Sequence, residues 1–434
     1  MDTLISLSRG SVGVINIEDV QPGMVLAADL RTTQGRLLLP LGSPITSEHL
    51  RIARIWGITE ADVQGVSEAD AERDALSRLD PEVRKLLDAL SGWRFSCCDL
   101  SLAPVRQLMR LFMQRAARGA TRGKAADLVA RYRGPRIPPD VLKAPLPAEK
   151  PTCADILKKE LGLASLPTIF NEIVEAVKSP KSSAAHIAEV IGKDPSIASR
   201  LLRLVNSAFY GFQSQIDTLS RAVAIVGTIQ ITNLAMGIAV TTSFKGIPEE
   251  HLDLRAFWEH SIAVGVMARL LASHARVPGE ERLFVAGLLH DIGRLVMVRN
   301  FPDLAADAVR RAMASGKPMD DVERVVWGFS HARLGSLLMH EWKLPEGLRK
   351  AVDMHHVPFK ADAEVEAALI HVADVTAHAL GFGHSGSRLV PPLFAEAWKR
   401  IGLPISILPT LAAQTENQMR DLMRVFLEDH AAVA

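Results

Sequence analysis

Ten of the 14 histidines in this 434-residue chain fall between positions 251 and 378. His260 stands in FWEHSIAVG, His290 and Asp291 are adjacent in LLHDIGR, and His331 opens HARLG. The pair His355–His356 follows, and then Asp374 in HVADVTA. A mixed set of imidazoles and carboxylates suits Fe, Mn, Ni or Zn rather than Ca or Mg, which take oxygen donors. Adjacent residues on a helix point about 100° apart, so a His-Asp pair can present one ligand directly while the other bridges, and one aspartate can span two cations. The expected cofactor is a divalent transition metal, one or two per chain. His274 and His340 read as surface or satisfied core residues. His371 and His378, about one turn either side of Asp374, read either as partners that orient the ligands or as surface groups. Arg294, one turn beyond His290, could offset charge developing on a phosphate; equally, it could balance a helix dipole. No P-loop, GxSxG or dinucleotide-binding glycine pattern offers a rival chemistry.

These residues must be positioned by helices. Asp194-Pro195 is a helix start, an acidic N-cap with proline in the first turn, followed by Ile197, Leu201, Leu204 and Val205 on one face. Asp253 is the N-cap expected before the helix of His260, and Thr410 to His430 reads as an amphipathic helix. Residues 222–244 carry no charge and are long enough to span a bilayer. However, Gln230, Asn233, four threonines and a serine, with a break at Gly227, favour a buried helical hairpin.

Ahead of these helices, residues 17–66 form a small α/β unit. It contains two apolar runs about Thr32–Gly35, a helix capped by Thr46 and stopped by Gly57, and a returning strand over 61–66. Residues 67–133 are helical and become basic, with Arg106, Arg110, Arg115, Arg118, Arg122, Lys124, Arg131 and Arg133. Such a run reads as a solvated helix face or as a surface for an anionic partner. Six prolines between 134 and 152 forbid helix and read as an extended linker separating two bodies.

Composition bounds the function. Fifty Lys+Arg against 49 Asp+Glu leave a net charge of +1, so no global field draws the chain to nucleic acid or membrane. Cys97, Cys98 and Cys153 make no disulfide framework, and the N-terminus lacks a signal-peptide pattern, so a reduced, cytoplasmic setting is expected.

The span from about 155 to 380 resembles the HDOD domain, the HD-related output domain of bacterial signalling proteins. The stretches SLPTIFNEIVEAVKSP, IGKDPSIASRLLRLVNSAFYG, AVAIVG, FWEHSIAVG, LLHDIGRLVM and HARLGSLLMHEWKLP carry the likeness. GMVLAADLRTTQGRLLLPLGSPIT resembles a small module found ahead of HD-type signalling domains. The resemblance implies a mainly α fold: a helical body over 153–384, with its ligand half at 252–384, a helical extension over 385–434, and the α/β module in front. It also implies relation to the HD metal-dependent phosphohydrolases. In that pattern His260, His290, Asp291 and Asp374 would hold one metal, and Asp291 would bridge to a second held by His331, His355 and His356. The GYP loop expected after the histidine pair is absent, since the chain reads HHVPFKADAE. The glutamate that some members carry a turn before the first histidine is Ala256 here, which argues against a third metal. The expected role is a bacterial signal-transduction output protein whose metal-holding domain binds a signalling partner or a phosphorylated nucleotide. The alternative is an active phosphohydrolase on a nucleotide or cyclic nucleotide, with Asp291 and Arg294 as its catalytic residues. Homodimerisation stays open, and nucleic acid is not an expected partner.

Overall fold

The computed structural model of the chain describes residues 12–17, 20–31, 37–55, 58, 60–64, 80–120, 125–134, 137–146, 148–163, 168–178, 183–212, 214–244, 247–359 and 365–427. Near the N-terminus β1 (Val12–Asn16) pairs antiparallel with β4 (Glu60–Gln64), and β2 (Leu30–Arg31) with β3 (Leu37–Leu39). Helix α1 (Ser47–Ile55) completes this unit. Its start is capped as expected, since the Thr46 hydroxyl accepts from the His49 amide. Leu26, Ile45, Leu50, Ala53 and Val63 build a hydrophobic core that is separate from the rest of the chain. β1 lies outside the expected 17–66 span, while Thr32–Gly35, Gly57 and 67–79 lie outside the described residues.

The rest is helical: α2 (Pro81–Arg94), α3 (Ala103–Ala120), α4 (Ala125–Tyr132), a 3-10 turn at Pro139–Lys143, α5 (Cys153–Leu163) and α6 (Thr168–Lys178). Then come α7 (Ala184–Gly192), α8 (Pro195–Val205), α9 (Leu219–Val226), α10 (Thr228–Ser243) and α11 (Leu254–Ala275). The ligand half continues with α12 (Glu280–Leu289), α13 (Ile292–Asn300), α14 (Pro302–Ser315), α15 (Met319–Val326), α16 (His331–Glu341), α17 (Glu346–Met354) and α18 (Val365–Leu380). Finally α19 (Ala395–Ile401) and α20 (Ile407–Leu427) close the chain. The caps read from the sequence form: Asp194 accepts from the amides of Ser196 and Ile197, and Asp253 from that of Ala256. The uncharged stretch 222–244 is a hairpin broken at Gly227, whose φ of 103° suits glycine. No helix among the described residues is long and apolar enough to cross a membrane.

The proline-rich segment does not separate two bodies. Leu87, Leu90, Phe112, Leu128 and Tyr132 from α2–α4 belong to the same hydrophobic core as the helices after it. Proline removes helix but leaves extended chain free to lie along a surface. The 134–152 segment does so: Arg311 donates to the Ala144 carbonyl (2.9 Å) and Lys150 to that of Val325 (2.6 Å). The basic run is also engaged within the molecule. Arg115 pairs with Glu416 beneath α3 and lies over the Phe382 ring, Arg106 donates to the carbonyls of Leu100 and Ser101, and Arg133 covers Trp93. Arg122 and Lys124 are not among the described residues.

Candidate metal centre

The structure brings all seven residues of the expected donor set to one place. His260 projects from α11, in its second turn. The α12–α13 junction supplies His290 and Asp291, the latter bent out of helical geometry (φ −99°, ψ 9°), so both side chains turn toward the same space. His331 is the first residue of α16, set by the Ser330 N-cap. His355 and His356 follow directly on α17, and Asp374 lies in α18. Two close helix approaches make this convergence physical. A Cβ on Gly287 would stand 2.7 Å from the Gly265 Cα, so α11 and α12 touch backbone to backbone beside His260 and His290. A Cβ on Gly293 would stand 2.1 Å from the His331 carbonyl oxygen, which lets α13 and α16 meet just where their ligands begin.

Asp291 sits between two groups of donors. Its Oδ1 is 2.9 Å from His331 Nε2, while its Oδ2 is 3.3 Å from His290 Nε2 and 4.0 Å from His260 Nε2. Asp374 Oδ1 is 3.0 Å from His260 Nε2 and 3.6 Å from His290 Nε2. On the other side, His356 Nε2 faces His331 Nε2 at 3.0 Å. Asp291, His331, His355 and His356 can each offer one donor atom within 4.8 Å of the others, and so can His260, His290 and Asp291.

The far side of each ring decides what the near side can do. His290 Nδ1 donates to the Gly287 carbonyl (2.7 Å) and His355 Nδ1 to that of Val352 (2.6 Å). Those bonds turn both Nε2 atoms inward, and in neutral His355 that atom carries a lone pair. His355 Nε2 is buried and, among the described residues, without a hydrogen-bond partner, whereas His290 Nε2 faces Asp291 Oδ2 at 3.3 Å. Buried polar atoms are paired in the great majority of cases, so an unpartnered inward nitrogen beside two carboxylates is one that could take a cation. The donor set fits a transition metal: neutral imidazoles, two carboxylates and no thiolate.

Electrostatics point the same way. Burial opposes charge on Asp291 and Asp374. It is outweighed by Arg294, His290 and His331 around Asp291, and by His378, His260 and His290 around Asp374, so both carboxyls stay well below their usual range. Burial and neighbouring histidines press His355 down to about 3 and His356 well below its ordinary value, leaving both as neutral ligands. His290 behaves oppositely. Burial disfavours its charge, yet Asp291 and Asp374 together raise it to about 10, so without a metal a proton neutralises these carboxylates.

Two residues act differently from their reading in the sequence, and one was missed. Arg294 is buried, with Nε 3.3 Å from Glu323 and 3.7 Å from Asp291, and its Nη1 donates to both oxygens of Ser385. A guanidinium held from three sides orients carboxylates and is poorly placed to follow a substrate. His371 is buried, not on the surface: it donates to the His355 carbonyl (2.8 Å) and accepts from the Phe394 amide. Glu323 of α15 was not anticipated. Its Oε2 accepts from both the amide (2.8 Å) and Nδ1 (2.5 Å) of His331. The signal was present, because Glu323 shares the buried face of Met319, Val322 and Val326, where an acid requires a partner. His274 and His340 are exposed, as expected.

A cavity of about 640 Å³, counting its open mouth, leads from the surface to Asp291, His356, Asp374 and His378. One rim is Pro318–Asp321, and the other is the segment Ser387–Phe394. That segment is clamped from α2: the Val390 amide donates to the Arg94 carbonyl (2.7 Å), and the buried Arg94 side chain donates to the carbonyls of Tyr132 and His378.

Residues 163–358 match the HDOD domain family. The chain carries an HDOD domain. Asp374, His378 and the rim segment lie beyond the matched residues, so the site combines the HDOD match with the helix and strap that follow it. A Treponema pallidum (strain Nichols) protein of uncharacterised function is 26% identical over 207 residues, 47% of this chain and 39% of that one. The chain therefore spans well under half the length of this relative. Among solved structures, the HDOD domain protein of unknown function from Geobacter sulfurreducens is 21% identical with a TM-score of 0.49, covering 63% of this chain and 96% of that one. A Marinobacter aquaeolei VT8 protein, described as a candidate signal transduction protein, is similar over 96% of this chain and 95% of its own, with a TM-score of 0.50 and 17% identity. At that identity the likeness is one of fold, and it runs nearly end to end.

Proposed function

We propose that this HDOD protein is a signal-transduction output module whose helical body holds one or two transition-metal ions and works as a regulatory binding domain. The observation that carries the reading is the convergence of His260, His290, Asp291, His331, His355, His356 and Asp374 on one place, with the buried Nε2 of neutral His355 unpartnered among the described residues and its Nδ1 fixed on a backbone carbonyl. His260, His290, Asp291 and Asp374 would hold one ion, and Asp291, His331, His355 and His356 a second. A metal there staples six separate elements together, which links the state of the site to the state of the fold. The Marinobacter protein named for signal transduction supports this role through shared architecture alone.

The wall of the cavity favours binding over turnover. Among the described residues that line it, Arg294 is the one Lys or Arg, already faced by Asp291 and Glu323, while the rim carries Asp320, paired with Arg324, and Asp321. Phosphoryl transfer relies on cations clamping the phosphate oxygens, and here the chain's own side chains offer few. A second reading, a metal-dependent phosphohydrolase, is favoured by one feature: the cavity opens directly on Asp291, His356 and Asp374. A metal pair, when bound, supplies Lewis acidity and an activated water near neutral pH. In that case Asp291 would orient the nucleophile and Arg294 would hold Asp291.

Elemental analysis of the purified protein, alongside His290→Ala and Asp291→Ala, tests the metal reading. We expect one to two transition-metal ions per chain in the natural protein and loss in both variants. Assays of nucleotides and phosphodiesters with Mn and Fe then separate the two roles: metal without turnover supports the binding module, and turnover abolished by Asp291→Ala supports the hydrolase.

A further inference from the structure

One histidine at the site has no assignment. His378, a turn beyond Asp374 on α18, is buried and lines the cavity. Its Nε2 stands 3.5 Å from Asp374 Oδ1, which lies 3.0 Å from His260 Nε2. The His378 and His260 rings sit 4.3 Å apart between centroids, and His260, Asp374 and His378 each bring a donor atom within 4.8 Å of the others. Donors bound at about 2.0–2.2 Å to one ion stand roughly 3.0–3.6 Å apart at right-angled to tetrahedral geometry. The two distances to Asp374 fall in that window. Among the described residues neither ring nitrogen of His378 is taken by a hydrogen bond, although its carbonyl is fixed by Arg94.

The opposite flank of His260 is closed. Ala256, a turn before it, brings no donor, and Gly383 packs so tightly there that a Cβ would stand 2.1 Å from the Ala256 carbonyl oxygen. A donor on this side of the cluster therefore comes from α18.

We propose that His378 is a metal ligand, joining His260 and Asp374 on the ion farther from His331. The inference rests on the metal reading above and extends it. Closed, fully protein-ligated sites are structural, while catalytic ones keep a position for water or substrate. An added imidazole takes such a position, so His378 moves this ion toward a structural or sensing role and leaves the Asp291–His331–His355–His356 side as the more open one.

The test uses the full-length protein titrated with Co2+, whose visible absorption reports the number and type of its ligands. His378→Ala, His378→Asn and, as an exposed control, His274→Ala are compared with the natural protein. We expect His378→Ala and His378→Asn each to weaken one of the Co2+ binding steps by more than tenfold and to change its absorption band, with His274→Ala unchanged. If His378 only steadied Asp374 by a hydrogen bond, His378→Asn would restore affinity and spectrum, and that result overturns the proposal. So does a His378→Ala protein that binds and absorbs like the natural one. A natural protein that binds no Co2+ overturns the metal reading itself, a separate outcome.

Discussion

Replacing Glu323 with glutamine keeps the shape of the side chain and removes one buried charge from behind His331. The carboxylate accepts from His331 Nδ1 at 2.5 Å and lies 3.3 Å from Arg294. Across the imidazole, an ion on His331 Nε2 would be about 7 Å from that charge. At an effective dielectric near 20, a divalent ion and a carboxylate at that distance attract by roughly 5 kcal/mol. Arg294 cancels part of this, since its own positive charge is paired with the same carboxylate. The remainder agrees with the roughly 10–100-fold loss of metal affinity that follows removal of a carboxylate behind a ligating histidine, or about 1.4–2.8 kcal/mol. The effect should be confined to one ion, because Glu323 touches His331 and not His260 or Asp374. Calorimetric titration of metal-free protein with Mn2+ should therefore show the step assigned to His331, His355 and His356 weakened 10–100-fold in Glu323→Gln and the other step nearly unchanged. Equal weakening of both steps would refute the division into two donor groups about Asp291. No change in either would refute the role given to Glu323.

Gly293→Ala places a Cβ 2.1 Å from the His331 carbonyl oxygen, so α13 and α16 must move apart; we expect a stability loss of about 1–3 kcal/mol in urea unfolding together with weaker metal binding, and an unchanged protein would show the approach is not needed. Metal uptake should release protons. The pKa of His290, raised to about 10, means that its proton stabilises the metal-free fold fully below the ordinary value near 6.5, with that contribution lost as pH rises through about 10. Between those limits a binding cation displaces this proton. Calorimetry at pH 8 in buffers of different ionisation enthalpy should report about one proton released per chain or more, and affinity should fall as the pH is lowered; heats independent of buffer would contradict it.

The helical body and the donor set were legible because each leaves a local trace. Asp194-Pro195, Asp253 and Gly227 mark helix ends by their own backbone chemistry, and the structure uses all three as expected. The histidines and aspartates that meet at the candidate site were legible because so many imidazoles fall within one stretch of the chain. What could not be read is whatever depends on distant parts of the chain meeting. The prolines at 135–151 announce an absence of helix, but whether α2–α4 fold back depends on Phe112 and Tyr132 finding the same core as α18. The Arg94 clamp joins residues 284 positions apart to the His378 carbonyl, and no local pattern encodes it. Glu323 and His378 lie between. Each sits on a buried helix face where a polar group needs a reason, yet the reason is a neighbour from another helix.

The proposed function stands on Asp291 holding at least one metal ion. Anomalous diffraction from crystals of the protein grown with Mn2+ or Fe2+, recorded on both sides of the metal absorption edge, tests it directly. The account predicts anomalous density against Asp291 on the side of His260, His290 and Asp374, on the side of His331, His355 and His356, or on both. Crystals soaked in saturating metal that show no anomalous density at Asp291 would contradict it.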